Sequence, residues 1–227
     1  MPRALQELLV DAGAVLAPHH GATIALSYGS AAGELAGCLS GVGIASRSEL
    51  TKLELSGPAA SLERAVAGLL DRPLLSRGIL VSPTVGWFRI DDSRLLALCD
   101  PAHGERLRGR LEFWTMRDPS LTLRDRTEEW SAIAVLGRHV DEVLSELGVY
   151  GRNRDPRSVA PITRTGDRCE VTWLLCGSDY ALALTPAASA AALWRAVATA
   201  GRGWGMCAVG HEALVRYRAL ARTGLHR

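Results

Sequence analysis

The sequence predicts an α+β fold of two tandem β-α-β-β-α units, whose antiparallel sheets are covered by helices. One observation behind this prediction occurs four times: an apolar strand-like run, a break of small or turn-forming residues, then a helical period. The order strand-helix-strand-strand-helix spans about residues 47–112 and recurs over about residues 126–200. The 227 residues, 48% hydrophobic and 22% charged, suffice for a packed core. We expect one domain over residues 1–227, made of these two halves and a C-terminal helix.

The first unit opens with LTKLELSGPAASLERAVAGLL. Leu53 and Leu55 alternate with charged neighbours, as in a strand with one buried face, and Gly57-Pro58 interrupts the run. After this break the apolar residues recur at the i, i+4, i+7 spacing of one helix face, at Leu62, Val66 and Leu69. In VGWFRIDDSRLLALCDPAHGERLRGRL, the turn formers Asp91-Asp92-Ser93 separate two further strands, and a helix ends the unit.

The second unit repeats this plan. In WSAIAVLGRHVDEVLSEL, Ile133 and Val135 alternate, Gly137 interrupts, and a helical period follows. In CEVTWLLCGSDYALALTPAASAAALWRAV, the turn Gly177-Ser178-Asp179 joins two strands that lead into a helix. Asp118–Ser120 predicts a turn between the units, residues 151–166 predict a long mobile loop, and residues 210–221 predict a last helix.

Charge, cysteine usage and hydropathy exclude several classes of protein. A net charge of +2 is too small for a nucleic-acid-binding face. The five cysteines form no C-x-x-C pair, which argues against a zinc or redox dithiol site. No signal peptide and no bilayer-spanning run is predicted, so we expect a cytoplasmic protein with neither nucleic-acid nor membrane partners. His19 and His20 are adjacent and lack an evident third ligand, so we predict no metal site.

The segment LLALCDPAHGERL at the end of the first unit concentrates titratable side chains. It could hold a Cys-His nucleophile pair or only a polar turn. Its counterpart YALALTPAASAAALW has Thr185-Pro186 at the turn and neither thiol, carboxylate nor imidazole, so the turn itself is architectural. Asp100, before Pro101, is placed as a helix N-cap.

The residues resemble a known family, the glycine-cleavage T-protein (aminomethyltransferase) superfamily. YGSAAGELAGCLSGVGIASRSELTKLELSGPAA is similar to its N-terminal signature of a tyrosine, a glutamate, a glycine-led polar segment and a Gly-Pro. RTEEWSAIAVLGRHVDEVL, ALALTPAASAAALWRAV and VGHEALVRYRAL resemble later stretches of its folate-binding core. The resemblance runs from about Gly21 to Leu220. It implies duplicated units around a tetrahydrofolate pocket and one-carbon transfer, with a folate or one-carbon donor as small-molecule partner.

The sequence departs from the family pattern in three places. The transferases' Asp-Asp pair falls on Gly78–Pro83, where no carboxylate stands. Their pterin-recognising glutamate falls on Ala181, and the C-terminal barrel has no counterpart in this sequence. These departures weaken the case for ordinary aminomethyl transfer.

Six residues remain as candidates for the site that the resemblance implies. Asp100 and Glu34 are the candidate catalytic carboxylates. The candidate cofactor-binding residues are Tyr28, Cys99, Trp173 and Arg218. Each has a structural alternative: a helix start for the tyrosine and glutamate, a cap for the aspartate, core packing for the tryptophan, and a solvated basic face for the arginine.

Two functions follow from the resemblance. The first is a tetrahydrofolate-binding protein acting in one-carbon transfer or a diverged reaction. The second is a non-catalytic subunit or binding module of a larger assembly, similar to a sarcosine-oxidase subunit, with a protein partner.

Overall fold

The computed structural model describes residues 1–70, 79–81, 84–149, 158–165 and 169–223. The helices within these ranges are α1 (Arg3–Asp11), α2 (Ala31–Ser40), α3 (Ala59–Leu70), α4 (Pro101–Arg117), α5 (Val140–Glu146), α6 (Ala190–Ala200) and α7 (His211–Thr223). The strands are β1 (Val15–His19), β2 (Ala22–Ser27), β3 (Val42–Ser46), β4 (Thr51–Ser56), β5 (Ile79–Val81), β6 (Val85–Asp91), β7 (Arg94–Cys99), β8 (Thr122–Asp125), β9 (Trp130–Gly137), β10 (Ser158–Thr165), β11 (Cys169–Leu175), β12 (Tyr180–Pro186) and β13 (Met206–Ala208). Short 3₁₀ turns precede α6 and β13.

The strands form two main sheets and one hairpin. The five-stranded sheet has the order β5-β6-β7-β4-β8, and the six-stranded sheet has the order β10-β11-β12-β9-β3-β13. Neighbouring strands are antiparallel except for β13, which runs parallel to β3. The separate hairpin β1-β2 turns through His20 and Gly21, which both have positive φ, as a two-residue type I′ connection requires.

The two predicted units are present, and their strands are ordered alike. The order β5-β6-β7-β4 in the five-stranded sheet is repeated by β10-β11-β12-β9 in the six-stranded sheet. The predicted α+β class, with antiparallel sheets covered by helices, is therefore confirmed. Each unit also has one strand before its hairpin, β5 in the first and β10 in the second.

Strand β10 corrects one sequence prediction. Residues 158–165 were expected in a long loop, but they pair antiparallel with β11 at the edge of the six-stranded sheet. The strand contains Pro161, and the pairing shifts register between Ala160 and Thr163. An edge strand tolerates a proline and a bulge, which is why its sequence has the character of a loop. The remainder of the predicted loop, residues 151–157 and 166, lies outside the described residues.

Four layers follow from the alternation of side chains along the strands. One face of the five-stranded sheet packs on α3 and α4, where the core includes Leu53, Leu95 and Leu107. The opposite faces of the two sheets pack on each other through residues such as Leu96 and Leu182. The outer face of the six-stranded sheet packs on α1, α5 and α6. The molecule is thus a sandwich of helices, two sheets and helices.

Helices α2 and α7 close one side of the space between the sheets. Cys38 of α2 and Leu214 and Tyr217 of α7 are buried in the same core as the facing sheets. The C-terminal helix predicted over residues 210–221 is confirmed as α7. No helix among the described residues is both long and apolar enough to cross a membrane.

Candidate functional site

The six candidate residues do not converge on one pocket. Cys99 is buried on the helix-covered face of the five-stranded sheet, with Leu53 and Leu107 in its core. Trp173 is wholly buried on the helix-covered face of the six-stranded sheet. Because side chains alternate along a strand, both residues face away from the space between the sheets, which Leu98 and Leu174 face instead. The two residues therefore cannot line one pocket between the sheets.

Burial gives Cys99 the chemistry of a core thiol. Removal from water raises its pKa to about 11, because the thiolate loses its hydration. The thiol is therefore protonated at neutral pH and is a poor nucleophile. Ala181, which stands where the family's pterin glutamate would be, is likewise buried beneath the helices on the six-stranded sheet. The Gly78–Pro83 segment is described only at residues 79–81.

Glu34 and Tyr28 lie together, but the carboxylate is occupied by the backbone. Glu34 is 7% exposed, and its two oxygens accept hydrogen bonds from the N–H groups of Tyr28 at 2.6 Å and Gly210 at 2.8 Å. This arrangement ties the end of β2 to the start of α7. Burial raises the pKa of Tyr28, whose hydroxyl is buried and has no hydrogen-bond partner among the described residues. The geometry assigns Glu34 to holding the chain, and its predicted part in catalysis stays a prediction.

Asp100 caps α4 and also faces a histidine from the N-terminal hairpin. Its Oδ1 accepts the N–H of Ala102 at 3.0 Å, which confirms the N-cap placement. Its Oδ2 lies 3.1 Å from Nε2 of His19 at the end of β1. Although partial burial opposes ionisation, these two hydrogen bonds hold the pKa of Asp100 below its ordinary value. The aspartate is thus a carboxylate at neutral pH with one oxygen directed at His19.

A buried ion pair lies beside this aspartate, on the segment that crosses from β3 to β4. Arg47 and Glu49 are each about 4% exposed, and Nε of the arginine donates to Oε1 of the glutamate at 2.6 Å. The other oxygen of Glu49, Oε2, is buried and has no hydrogen-bond partner among the described residues. A buried carboxylate oxygen normally accepts a hydrogen bond, so this atom is available to a donor from a ligand.

Tyr180, His211 and Arg218 complete the group. Tyr180, at the start of β12, interacts electrostatically with Arg47, Glu49 and Arg218. His211, at the start of α7, interacts with Arg47, Glu49, Asp100 and His19, and its ring lies 4.7 Å from that of His19. Burial lowers the pKa of His211 and favours its neutral imidazole.

We call these seven residues the junction cluster, because they come together where β1, the β3–β4 crossover, β7, β12 and α7 meet. Its members are His19, Arg47, Glu49, Asp100, Tyr180, His211 and Arg218. Two of the six sequence candidates, Asp100 and Arg218, belong to it.

Sequence reasoning missed the other five because their contacts cross the chain. His19 meets Asp100 from 81 positions away, a contact that no local pattern encodes. The charged residues in RSELTKLE are of a type usually found at the surface, so the sequence does not show that Arg47 and Glu49 are buried in the crossover. One usable signal was His20-Gly21 between two apolar runs, a turn pair that predicts the β1-β2 hairpin and places His19 at its end.

Two solved structures share the fold. The glycine cleavage system aminomethyltransferase T from Bartonella henselae matches with a TM-score of 0.70 and 19% identity, over 92% of this chain and 59% of that chain. A chain of the heterotetrameric sarcosine oxidase from Corynebacterium sp. U-96 matches with a TM-score of 0.58 and 16% identity, over 78% of this chain and 93% of that chain. The aminomethyltransferase-type fold predicted from the sequence is confirmed.

The likeness is one of structure. No protein-family model matches the sequence, and no curated protein matches it significantly. This chain spans 59% of the length of the aminomethyltransferase chain. At these sequence identities the comparison establishes the fold of this chain but not its activity.

Proposed function

We propose that this chain is a cytoplasmic folate-binding protein serving one-carbon transfer, and that it holds tetrahydrofolate at the junction cluster. The observation that carries the proposal is the buried, unpartnered Oε2 of Glu49 beside Arg47 and Tyr180. A pterin ring offers N–H donors and a flat face, which suit a carboxylate oxygen and an aromatic neighbour. The fold shared with an aminomethyltransferase supports this choice of ligand.

The cations of the cluster suit the anionic part of a folate. Arg218 lies on α7, partly exposed, and interacts with Tyr180. A guanidinium can pair with a carboxylate through two parallel hydrogen bonds, so Arg218 is the residue to hold a glutamate tail. Arg47 is already paired with Glu49 and serves to fix that carboxylate in place.

The cavity beside the β3–β4 crossover is too small for a folate. A cavity of about 100 Å³ beside the crossover is lined partly by Ser48, Trp130 and Ser131. Small-molecule sites usually enclose about 300 Å³ or more. A folate would therefore enter from the half-exposed side of the junction cluster, where His19, Asp100 and Tyr180 reach the surface, and its pterin would have to displace neighbouring side chains to contact the buried Oε2 of Glu49.

Positioning is the chemistry that these residues can supply. Tetrahydrofolate, when bound, supplies the nitrogen that carries the one-carbon unit. Asp100 is ionised because its pKa is lowered, which makes it a weak base that orients a donor better than it removes a proton. The chain would thus bind and orient its ligand, and catalysis would rest on proximity.

Thermal unfolding with tetrahydrofolate and with 5-formyl-tetrahydrofolate tests the proposal. A ligand at 100 times its dissociation constant stabilises the native state by about 2.7 kcal/mol, which raises the midpoint by several degrees. Arg218→Ala should abolish the shift, and Arg216→Ala, two positions away on the exposed side of α7, should retain it. Absence of a shift for the wild type, or equal shifts in both variants, would refute folate binding at this cluster.

A subunit role, the second function that the resemblance implies, is kept as the alternative proposal. The matching chain of sarcosine oxidase comes from a heterotetramer, and the match takes in 93% of that chain. If neither folate shifts the midpoint, the native mass of the protein in its own cell extract, compared with that of the purified chain, becomes the decisive measurement. A larger native mass would support this candidate, and an equal mass would reject it.

A further inference from the structure

The end of the N-terminal hairpin meets the start of α4 in a set of metal-ligating side chains. His19, His20 and Asp100 each offer one ligand atom, and these atoms lie within 4.8 Å of one another. His19 and Asp100 are half-buried, whereas His20 is exposed at the hairpin turn. The two histidines have no third ligand near them along the chain, and the fold supplies one, Asp100, from 81 positions beyond His19.

We propose that His19, His20 and Asp100 bind a divalent transition-metal ion such as Zn²⁺, with the remaining coordination positions open. Two imidazoles and one carboxylate are the ligand set of open zinc and non-haem iron sites. The inference goes beyond the proposed folate binding and does not depend on it.

The distances suit such an ion. Zinc bonds of about 2.0–2.2 Å in a tetrahedral site place ligand atoms about 3.3 Å apart. Nε2 of His19 and Oδ2 of Asp100 already lie 3.1 Å apart. Because the three ligand atoms lie within 4.8 Å of one another, the remaining closure is at most about 1.5 Å. It falls to His20, on an exposed two-residue turn that can shift without disturbing the core. The other aspartate oxygen stays on the N–H of Ala102, so capping and metal binding are compatible.

Two neighbouring groups lie against the proposed ligands. The ring of His211 lies 4.7 Å from the ring of His19. Arg47 interacts with Asp100, but its charge is balanced by Glu49 at 2.6 Å. A cation is therefore not repelled by an uncompensated guanidinium.

The backbone at His20 is a separate observation. This residue has φ of +46°, and it is the one non-glycine residue with positive φ among the described residues. At this position of a type I′ turn, asparagine, aspartate and glycine are preferred. The turn holds the His20 ring beside that of His19, with the two ring centroids 4.7 Å apart.

The test is titration of the full chain, stripped with a chelator, with ZnCl₂ by calorimetry and with CoCl₂ by visible absorption. We expect one ion per chain and a cobalt spectrum of nitrogen and oxygen ligands without thiolate bands. His20→Asn, which suits the turn, and Asp100→Asn, which retains the cap, should each weaken binding at least about tenfold. His103→Ala is the matched control, an exposed histidine of α4 outside the set, and should leave the affinity unchanged.

Several results would overturn the proposal. The first is that the wild type shows no saturable metal binding. The second is that His20→Asn binds the metal as tightly as the wild type. The third is that the cobalt spectrum shows thiolate bands. Circular dichroism and the unfolding midpoint of each metal-free variant show whether a loss of binding reflects the ligand or the fold. Metal titration and folate thermal shift use different readouts, so either proposal can fail alone.

Discussion

Lys52 is the sole lysine of the chain, and its ammonium group is wholly buried in the crossover between the sheets. The Nζ donates to the backbone oxygens of Leu50 at 2.7 Å, Ser48 at 2.9 Å and Thr127 at 3.4 Å. It thereby joins the crossover to the segment before β9. A buried cation held by carbonyl groups rather than by a carboxylate is a costly arrangement that fixes one backbone path.

Lys52→Met should lower the free energy of unfolding at pH 7 by about 1–3 kcal/mol, because the buried carbonyl groups lose their donor. Burial lowers the pKa of Lys52 from its ordinary 10.5 to about 8. Between these values the unfolded chain binds more protons than the folded one, so the lysine's contribution to stability rises with pH. Denaturant unfolding of both proteins from pH 7 to 10 should show the gap widening above pH 8. A gap that narrows with pH would contradict the lowered pKa.

Glu34 shows how one side chain connects elements. Its two oxygens hold the N–H groups at the end of β2 and the start of α7. Gly210 permits this close approach, since a Cβ there would lie 2.3 Å from the backbone oxygen of Leu26. The carboxylate therefore joins the N-terminal hairpin to the helix that closes the intersheet core.

Glu34→Gln should lower the free energy of unfolding by about 2 kcal/mol, because an amide NH₂ would face an N–H donor and one charged hydrogen bond would be lost. Urea unfolding measures the change. The control is Glu212→Gln, an exposed acid in the first turn of α7, expected to stay within about 0.5 kcal/mol of the wild type. Wild-type stability in Glu34→Gln together with lost folate binding would instead favour a direct role in the site.

The elements of the two units were largely predictable, because local patterns specify them. Strand β4 and helix α3 followed from alternation and a 3.6-residue period, and α4 from Asp100-Pro101. Strands β5 and β10 were missed at equivalent places in the two units, since short or proline-containing edge strands lack alternation.

The faces of the strands were the harder part of the site. Cys99 and Trp173 were assigned to a pocket by resemblance, but each lies beneath helices. When a strand is apolar on both faces, its sequence does not reveal which face meets the other sheet. The contact between His19 and Asp100 was equally invisible, because only the assembled hairpin and α4 create it.

At the scale of the whole molecule, the two units share their core. Strand β3 precedes the first unit in the chain, yet it pairs with β9 of the second. Leu96 and Leu98 of β7 pack in one cluster with Leu182 and Leu184 of β12. Separating the units would expose this apolar surface to water, at about 25 cal/mol per Å². The repeat is therefore structural, and neither half has a complete core of its own.

We therefore predict that the chain unfolds in one cooperative transition, as expected for a single domain over residues 1–227. Hydrogen exchange with mass spectrometry across a urea series measures this directly. Peptides from β7 in the first unit and β12 in the second should lose protection at the same urea concentration. Leu96→Ala, in the intersheet core, should lower both midpoints together by an amount equivalent to about 2–5 kcal/mol. Two separate midpoints, or a shift confined to β7, would show instead that the halves are independent folding units.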